Sequence, residues 1–208
     1  MSSLLRPITN ILLDRDGTLI KECHYLCDPD NVELIPGVIA PMRNLQARGV
    51  RFFLVTNQSG IGRGYFSREE YQKVQKRLAD MLAEQGILLT DNSFCPHAPD
   101  QKCNCRKPRT GMWQELVARH ALVPEQTVMI GDKRADITFG LNASLLYTIL
   151  VLTGHGAQES TALDLPRLHQ DILELPERRP GWPHAVARDL GSALAWIAHG
   201  FGISNNDR

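Results

Sequence analysis

No stretch of this chain approaches the ~20 consecutive apolar residues that a spanning helix requires, so no membrane-spanning segment is expected. Neither charge is in excess: 23 lysines and arginines match 23 aspartates and glutamates. Bulk charge therefore offers no attraction for nucleic acid or an anionic membrane, and any anion must be met by local basic residues. Aromatic residues are scarce at 6%, and no basic stripe interleaved with them marks a long nucleic-acid footprint. Cysteine is too sparse for a disulfide framework. There are five, an odd count, and three of them fall within residues 95–105, which is the arithmetic of a metal site. The opening residues Met1 to Pro7 are too short and weakly apolar for a secretion signal, so a cytoplasmic location is expected.

What is present reads as an ordinary globular chain. With 43% hydrophobic and 22% charged residues over 208 positions, one domain spanning 1–208 can bury a sizeable core. Apolar runs at 8–13, 51–55, 127–130 and 147–152 read as buried strands, with a shorter one at 92–94. Helical stretches are expected at 38–47, behind the capping box Ser67-Arg68-Glu69-Glu70, at 111–121 and at 136–141. This alternation predicts an α/β, Rossmann-like, doubly wound and mostly parallel sheet. The proline-broken stretch 154–183 reads as an irregular connector, followed by an edge strand at 185–187. Asp189 is placed to cap a last helix over 190–198, ahead of a polar, frayed tail at 204–208.

Three of the strands end in polar clusters. Asp14-Arg15-Asp16-Gly17-Thr18 puts two carboxylates at i and i+2 just past the first strand, able to turn toward one point. One can attack as a nucleophile while the other holds a proton for a leaving oxygen. Thr56-Asn57-Gln58-Ser59-Gly60 closes the second strand, and Gly60, Gly62 and Gly64 leave backbone N–H groups for phosphate oxygens. Gly131-Asp132-Lys133-Arg134-Ala135-Asp136 closes a third. Asp14 and Asp132 together offer the carboxylates that a magnesium ion takes from protein.

The cysteines form the second signal. Cys95, His97, Cys103 and Cys105 offer three thiolates and one imidazole, a closed tetrahedral set for a structural zinc ion. Arg106-Lys107-Pro108 follows the last of them, so a pinned loop could deliver Lys107 rigidly to a phosphoryl group. Cys23 and Cys27 read as free thiols.

Together these motifs resemble the haloacid dehalogenase superfamily of phosphatases, over residues 8–155. Asp14 to Thr18, Thr56, Lys107, and Asp132 with Asp136 match its four motifs in order. The stretch Asn57 to Gly64 and the Cys-x-His, Cys-x-Cys-Arg-Lys-Pro loop are similar to the heptose 1,7-bisphosphate 7-phosphatases, capless members with a zinc loop; Thr110 departs from the proline usual there. The resemblance implies Asp14 as nucleophile, Asp16 as general acid and base, and Thr56 and Lys107 on the phosphoryl group. It implies magnesium on Asp14, Asp132 and the backbone carbonyl of Asp16. It further implies substrate contacts from Glu22, Cys23, His24, Tyr25, Asn57, Gln58, Ser59, Arg106 and Lys133. The expected partner is a small sugar phosphate of heptose metabolism for cell-surface polysaccharide, with no nucleic acid or membrane, and a monomer is expected. Histidinol-phosphate phosphatase, a polynucleotide 3′-phosphatase and a non-catalytic zinc-loop binding protein are the competing readings.

Overall fold

The computed structural model describes residues 8–200. Expectations about the amino-terminal stretch before Ile8 and the tail at 204–208 lie outside them. Parallel strands covered on both faces read as continuous apolar runs, and four segments here do so. These are β1 (Asn10–Leu13), β2 (Arg51–Asn57), β4 (Thr127–Gly131) and β5 (Tyr147–Val151). With β3 (Leu89–Cys95) and β7 (Ala185–Ala187) they pair in parallel, and β6 (Ile172–Glu174) pairs antiparallel with β7. The sheet order is β3-β2-β1-β4-β5-β7-β6.

Side chains alternate between faces along a strand, and the core divides accordingly. Ile11, Leu13, Phe52, Leu54, Val128 and Ile130 face one helical layer. That layer is α1 (Ile39–Ala47), α3 (Arg68–Glu84) and α7 (Leu190–Gly200). Leu12, Phe53, Val55 and Met129 face α4 (Gly111–His120) and α5 (Arg134–Asn142). The capping box is formed: Ser67 N–H donates to Glu70 Oε2 at 2.6 Å and Glu70 N–H to Ser67 Oγ at 3.1 Å. Asp189 caps α7, accepting from Ser192 N–H at 2.8 Å.

Two expectations need correction. The stretch 154–183 is not an irregular connector throughout, because it holds α6 (Gly156–Ala162) and β6. Nor is Ala185–Ala187 an edge strand. It lies between β5 and β6, and β6 forms the edge. Only three residues long and partly exposed, β6 offers too short an apolar run, Ile172-Leu173, to be read as a strand, and it pairs antiparallel with β7.

His184 fastens this margin of the sheet. Its Nδ1 accepts the Thr148 N–H at 3.0 Å, which requires that nitrogen to be unprotonated. Burial, with the nearby Arg178 charge, lowers its pKa to about 4. An unfolded imidazole binds its proton from about 6.5 downward, so between those values the unfolded state holds more protons and stability rises with pH. The expected result is a melting temperature that falls from pH 6.5 to 4.5 less steeply in His184→Asn, whose amide oxygen retains the acceptor. Equal slopes in thermal melts of the two proteins would contradict this role.

Candidate active site

In open parallel sheets, ligands sit beyond the carboxyl ends of the strands where the winding reverses. Here the chain proceeds from β1 outward to β2 and β3 on one side, and to β4 and β5 on the other. The reversal at β1 gathers Asp14, Thr56 and Asp132 at one edge. Among the described residues no folded unit is inserted over it.

Lys107 is the centre of this edge, although it comes from the loop between β3 and α4. Its ammonium lies 2.7 Å from Asp14 Oδ1 and 2.6 Å from Asp136 Oδ1, and donates to the Val55 carbonyl at 2.6 Å. All three side chains are buried. The Asn57 amide clamps the Lys107 backbone in both directions, accepting its N–H at 2.9 Å and donating to its carbonyl at 3.1 Å. Burial opposes the Lys107 charge, but Asp136 and Asp14 outweigh it and raise its pKa. Burial likewise opposes ionisation of Asp14, and the Lys107 and Lys133 ammonium groups overcome it, holding the carboxyl below its usual range. Asp14 is therefore a carboxylate at neutral pH, as a nucleophile must be.

Asp132 is the opposite case. It is fully buried; Oδ2 accepts the His155 N–H at 2.8 Å, while Oδ1 has no hydrogen-bond partner. Burial, with the charges of Asp14 and Asp136, pushes it up to about 8. Carboxylate oxygens of Asp14, Asp132 and Asp136 lie within 4.8 Å of one another. Crowded acids with an orphaned oxygen fit a hard divalent cation, which would supply the missing partner and favour ionised Asp132. The enclosing turns depend on glycine: a Cβ on Gly17 or Gly154 would collide with Asp132 Oδ2, and both have positive φ, +83° and +55°.

Asp16 stands outside this acid cluster and is held by Arg15 and Gln58. Arg15 Nη2 donates to Asp16 Oδ1 at 3.0 Å, and Gln58 Nε2 donates to Asp16 Oδ2 at 2.8 Å and Thr56 Oγ1 at 2.9 Å. Two adjoining cavities meet at Asp16. One, of about 230 Å³, is lined by Asp14, Thr56, Arg106, Lys107 and Asp136. The other, of about 150 Å³, is lined by Glu22, Cys23, His24, Tyr25, Gln58 and His155. Asn57, Ser59 and Lys133 border both. Glu22 binds Lys133 at 3.0 Å across the second.

Two of the three glycines in the glycine-rich stretch do not offer the open N–H groups expected of them. Gly62 N–H donates to the Pro96 carbonyl at 2.8 Å and Gly64 N–H to the Ile61 carbonyl at 3.0 Å, so neither is open to a ligand. The segment forms a short helix, α2 (Ser59–Gly62), and a Cβ on Gly60 would meet the Phe66 ring. Gly62 permits close packing against the cysteine loop, since a Cβ there would strike Ala98 N and the Pro96 carbonyl.

In that loop the four expected residues converge, with ligand atoms within 4.8 Å of one another. Cys95 Sγ lies 3.5 Å from His97 Nδ1 and 3.7 Å from Cys103 Sγ, and Cys105 Sγ lies 3.3 Å from His97 Nδ1. Zinc bonds of about 2.0–2.3 Å at tetrahedral angles give ligand separations of about 3.3–3.8 Å, so the donor set fits zinc. Burial raises the Cys95 pKa, so ionising that thiol calls for a cation. About one zinc per chain is expected by elemental analysis, and Cys103→Ser is expected to lose it along with thermal stability. Metal-free protein of full stability would refute this.

Comparison with known proteins agrees with this geometry. The family model described as polynucleotide kinase 3 phosphatase matches residues 10–148, and the one described as HAD-hydrolase-like matches residues 104–193. The D-glycero-beta-D-manno-heptose-1,7-bisphosphate 7-phosphatase of Haemophilus influenzae is 38% identical over 174 residues, covering 76% of this chain and 95% of that protein. The chain belongs to the heptose 1,7-bisphosphate 7-phosphatase family of haloacid dehalogenase-like hydrolases. The Pasteurella multocida member is 35% identical over 173 residues, covering 80% of this chain and 94% of that one. The solved D,D-heptose 1.7-bisphosphate phosphatase from B. bronchiseptica, complexed with magnesium and phosphate, superposes with a TM-score of 0.77 at 27% identity. It covers 91% of this chain and 97% of that one.

The structure places the residues singled out in the sequence at two locations, the carboxyl edge of the sheet and the cysteine loop, and sets Arg15 and His155 beside the first. Asp136 was visible as the second acid of the last motif, but its buried contact with Lys107 was not. Arg15 was visible only as the residue between two aspartates. His155 carried one signal, its position just past β5, a strand ending at the same edge. No helix among the described residues is long and apolar enough to cross a membrane.

Proposed function

We propose that this protein is a magnesium-dependent phosphatase that removes the C7 phosphate of a heptose 1,7-bisphosphate through an aspartyl-phosphate on Asp14. The observation that carries it is the buried Lys107 ammonium 2.7 Å from Asp14 Oδ1, which keeps a water-poor carboxylate ionised at the edge of a cavity. Asp14 attacks phosphorus as the bond to the sugar oxygen breaks, and Asp16 gives that oxygen its proton. Asp16 then takes a proton from water, which attacks phosphorus and frees phosphate and Asp14. The Thr56 hydroxyl and the Lys107 charge position and stabilise the phosphoryl oxygens, which is most of what such transfer requires. Asp14, Asp132 and the Asp16 carbonyl would hold magnesium, which supplies further neutralisation of phosphoryl charge; Asp136 supports Lys107.

The second cavity receives the sugar, with Glu22, Ser59 and Lys133 as polar contacts. Arg106 follows the metal-loop residue Cys105 directly and lines the phosphoryl cavity, where its guanidinium can pair with a second phosphate. The reaction would serve heptose supply for cell-surface polysaccharide. The polynucleotide description of one family model motivates a second reading, hydrolysis of nucleic-acid 3′-phosphates. The balanced charge of the chain speaks against it.

The test is kcat/KM on heptose 1,7-bisphosphate, histidinol phosphate and a 3′-phosphorylated oligonucleotide. The heptose bisphosphate is expected to be best, with KM raised roughly tenfold in Arg106→Ala, as for one charged hydrogen bond lost. A preference for either other substrate would replace this reading.

A further inference from the structure

Asp16 stands on a turn, where a lone carboxyl has rotational freedom that proton transfer cannot use. Here it has almost none. Arg15 Nε donates to Oδ1 at 3.2 Å and Oδ2 at 3.1 Å, and Nη2 donates to Oδ1 at 3.0 Å. The same Nη2 donates to Gln58 Oε1 at 3.1 Å. Gln58 Nε2 then reaches both Asp16 Oδ2 and Thr56 Oγ1, at 2.8 and 2.9 Å. Both amide atoms of Gln58 are thus engaged within the protein, and the side chain is 5% exposed. Arg15 is 1% exposed, with its guanidinium 5.3 Å from the Tyr71 ring centroid, and Tyr71 packs on Phe94 at 4.3 Å. An ion pair between chain neighbours forms readily at a surface. Burying this arginine is costly, the more so because its Nη1 has no hydrogen-bond partner.

We propose that Arg15 and Gln58 are positioning residues that hold the Asp16 carboxyl in place for its acid role, Gln58 bridging it to the Thr56 hydroxyl. This rests on the reading of Asp16 as the leaving group's acid. In the transfer step the bond from Asp14 oxygen to phosphorus forms and the phosphorus–sugar oxygen bond breaks. The Asp16 proton moves to the sugar oxygen, and the guanidinium and amide N–H groups meet the carboxylate left behind. Gln58 accordingly acts through Asp16 and Thr56 instead of contacting the sugar.

The experiment compares kcat/KM on the heptose bisphosphate, an alkyl ester whose oxygen leaves only with a proton, and p-nitrophenyl phosphate, whose phenolate leaves without one. Hydrolysis of the phosphoenzyme is common to both and does not enter kcat/KM. Arg15→Lys, Arg15→Met and Gln58→Met are expected to lose ~10²-fold on the alkyl ester, as for a misplaced general acid, and much less on the aryl ester. Asp16→Asn should show the same split. Gln58→Met, which leaves the ion pair intact, carries the test if the Arg15 variants do not fold. Equal losses on both esters in folded variants, or a split in Asp16→Asn alone, would overturn the proposal. No split in Asp16→Asn would remove the reading beneath it. A split on another alkyl phosphate, with the heptose bisphosphate inert, would sustain the frame and discard only the substrate.

Discussion

Replacing Asp14 with asparagine is expected to lower kcat by at least ~10⁴-fold, as removal of a covalent nucleophile does, while the fold survives. Asparagine is nearly isosteric but cannot carry the acyl phosphate. Lys107 retains Asp136 at 2.6 Å, so its charge is not abandoned in the interior. Asp14 also contributes, after burial, to the raised pKa values of Asp132 and Asp136. Removing it relieves crowding among the three acids, so the melting temperature in metal-free buffer should hold or rise. Wild-type turnover by a purified Asp14→Asn variant would end the covalent mechanism. A large loss of melting temperature would show that Asp14 serves the fold.

Lys107→Met should remove both activity and stability. Its ammonium is the cation between two buried carboxylates and also binds the Val55 carbonyl. Breaking a buried pair from one side costs about 3–5 kcal/mol, because the remaining charges are left uncompensated. In a chain of this size that is a fall in melting temperature of roughly 6–20 °C. Adding Asp136→Leu should recover part of the stability and none of the activity. Unchanged melting of Lys107→Met, or restored turnover in the double variant, would contradict the assigned geometry. The sign with pH is also fixed. Burial first, with the like charge of Asp14, raises Asp136 to about 6 against the pull of Lys107. An unfolded aspartate titrates at 3.8, so Asp136 alone makes the fold less stable as pH rises from about 4 to 6.

The sheet was legible because its central strands are buried on both faces and read as unbroken apolar runs, such as Val128-Met129-Ile130. The site was legible for the same reason: a carboxylate or hydroxyl ending such a run stands at the edge where ligands bind. The cluster of Cys95, His97, Cys103 and Cys105 was legible because its members lie close in the chain. What could not be read depends on partners distant in sequence. Asp16 and Gln58 are 42 positions apart, and Arg15 shows its purpose only when both are in place. Gly62 reads as a phosphate cradle until the Pro96 carbonyl is seen to take its N–H. β6 is too short, at three residues, to announce itself, and β7 therefore read as the edge it is not.

The most direct test of the central claim is to follow a heptose 1,7-bisphosphate by phosphorus NMR in the presence of the enzyme and magnesium. The C7 phosphomonoester resonance is predicted to disappear as one equivalent of inorganic phosphate appears, with the anomeric C1 phosphate retained. Release of the C1 phosphate, release of both, or no release under conditions where a simple alkyl phosphate is cleaved would contradict the account.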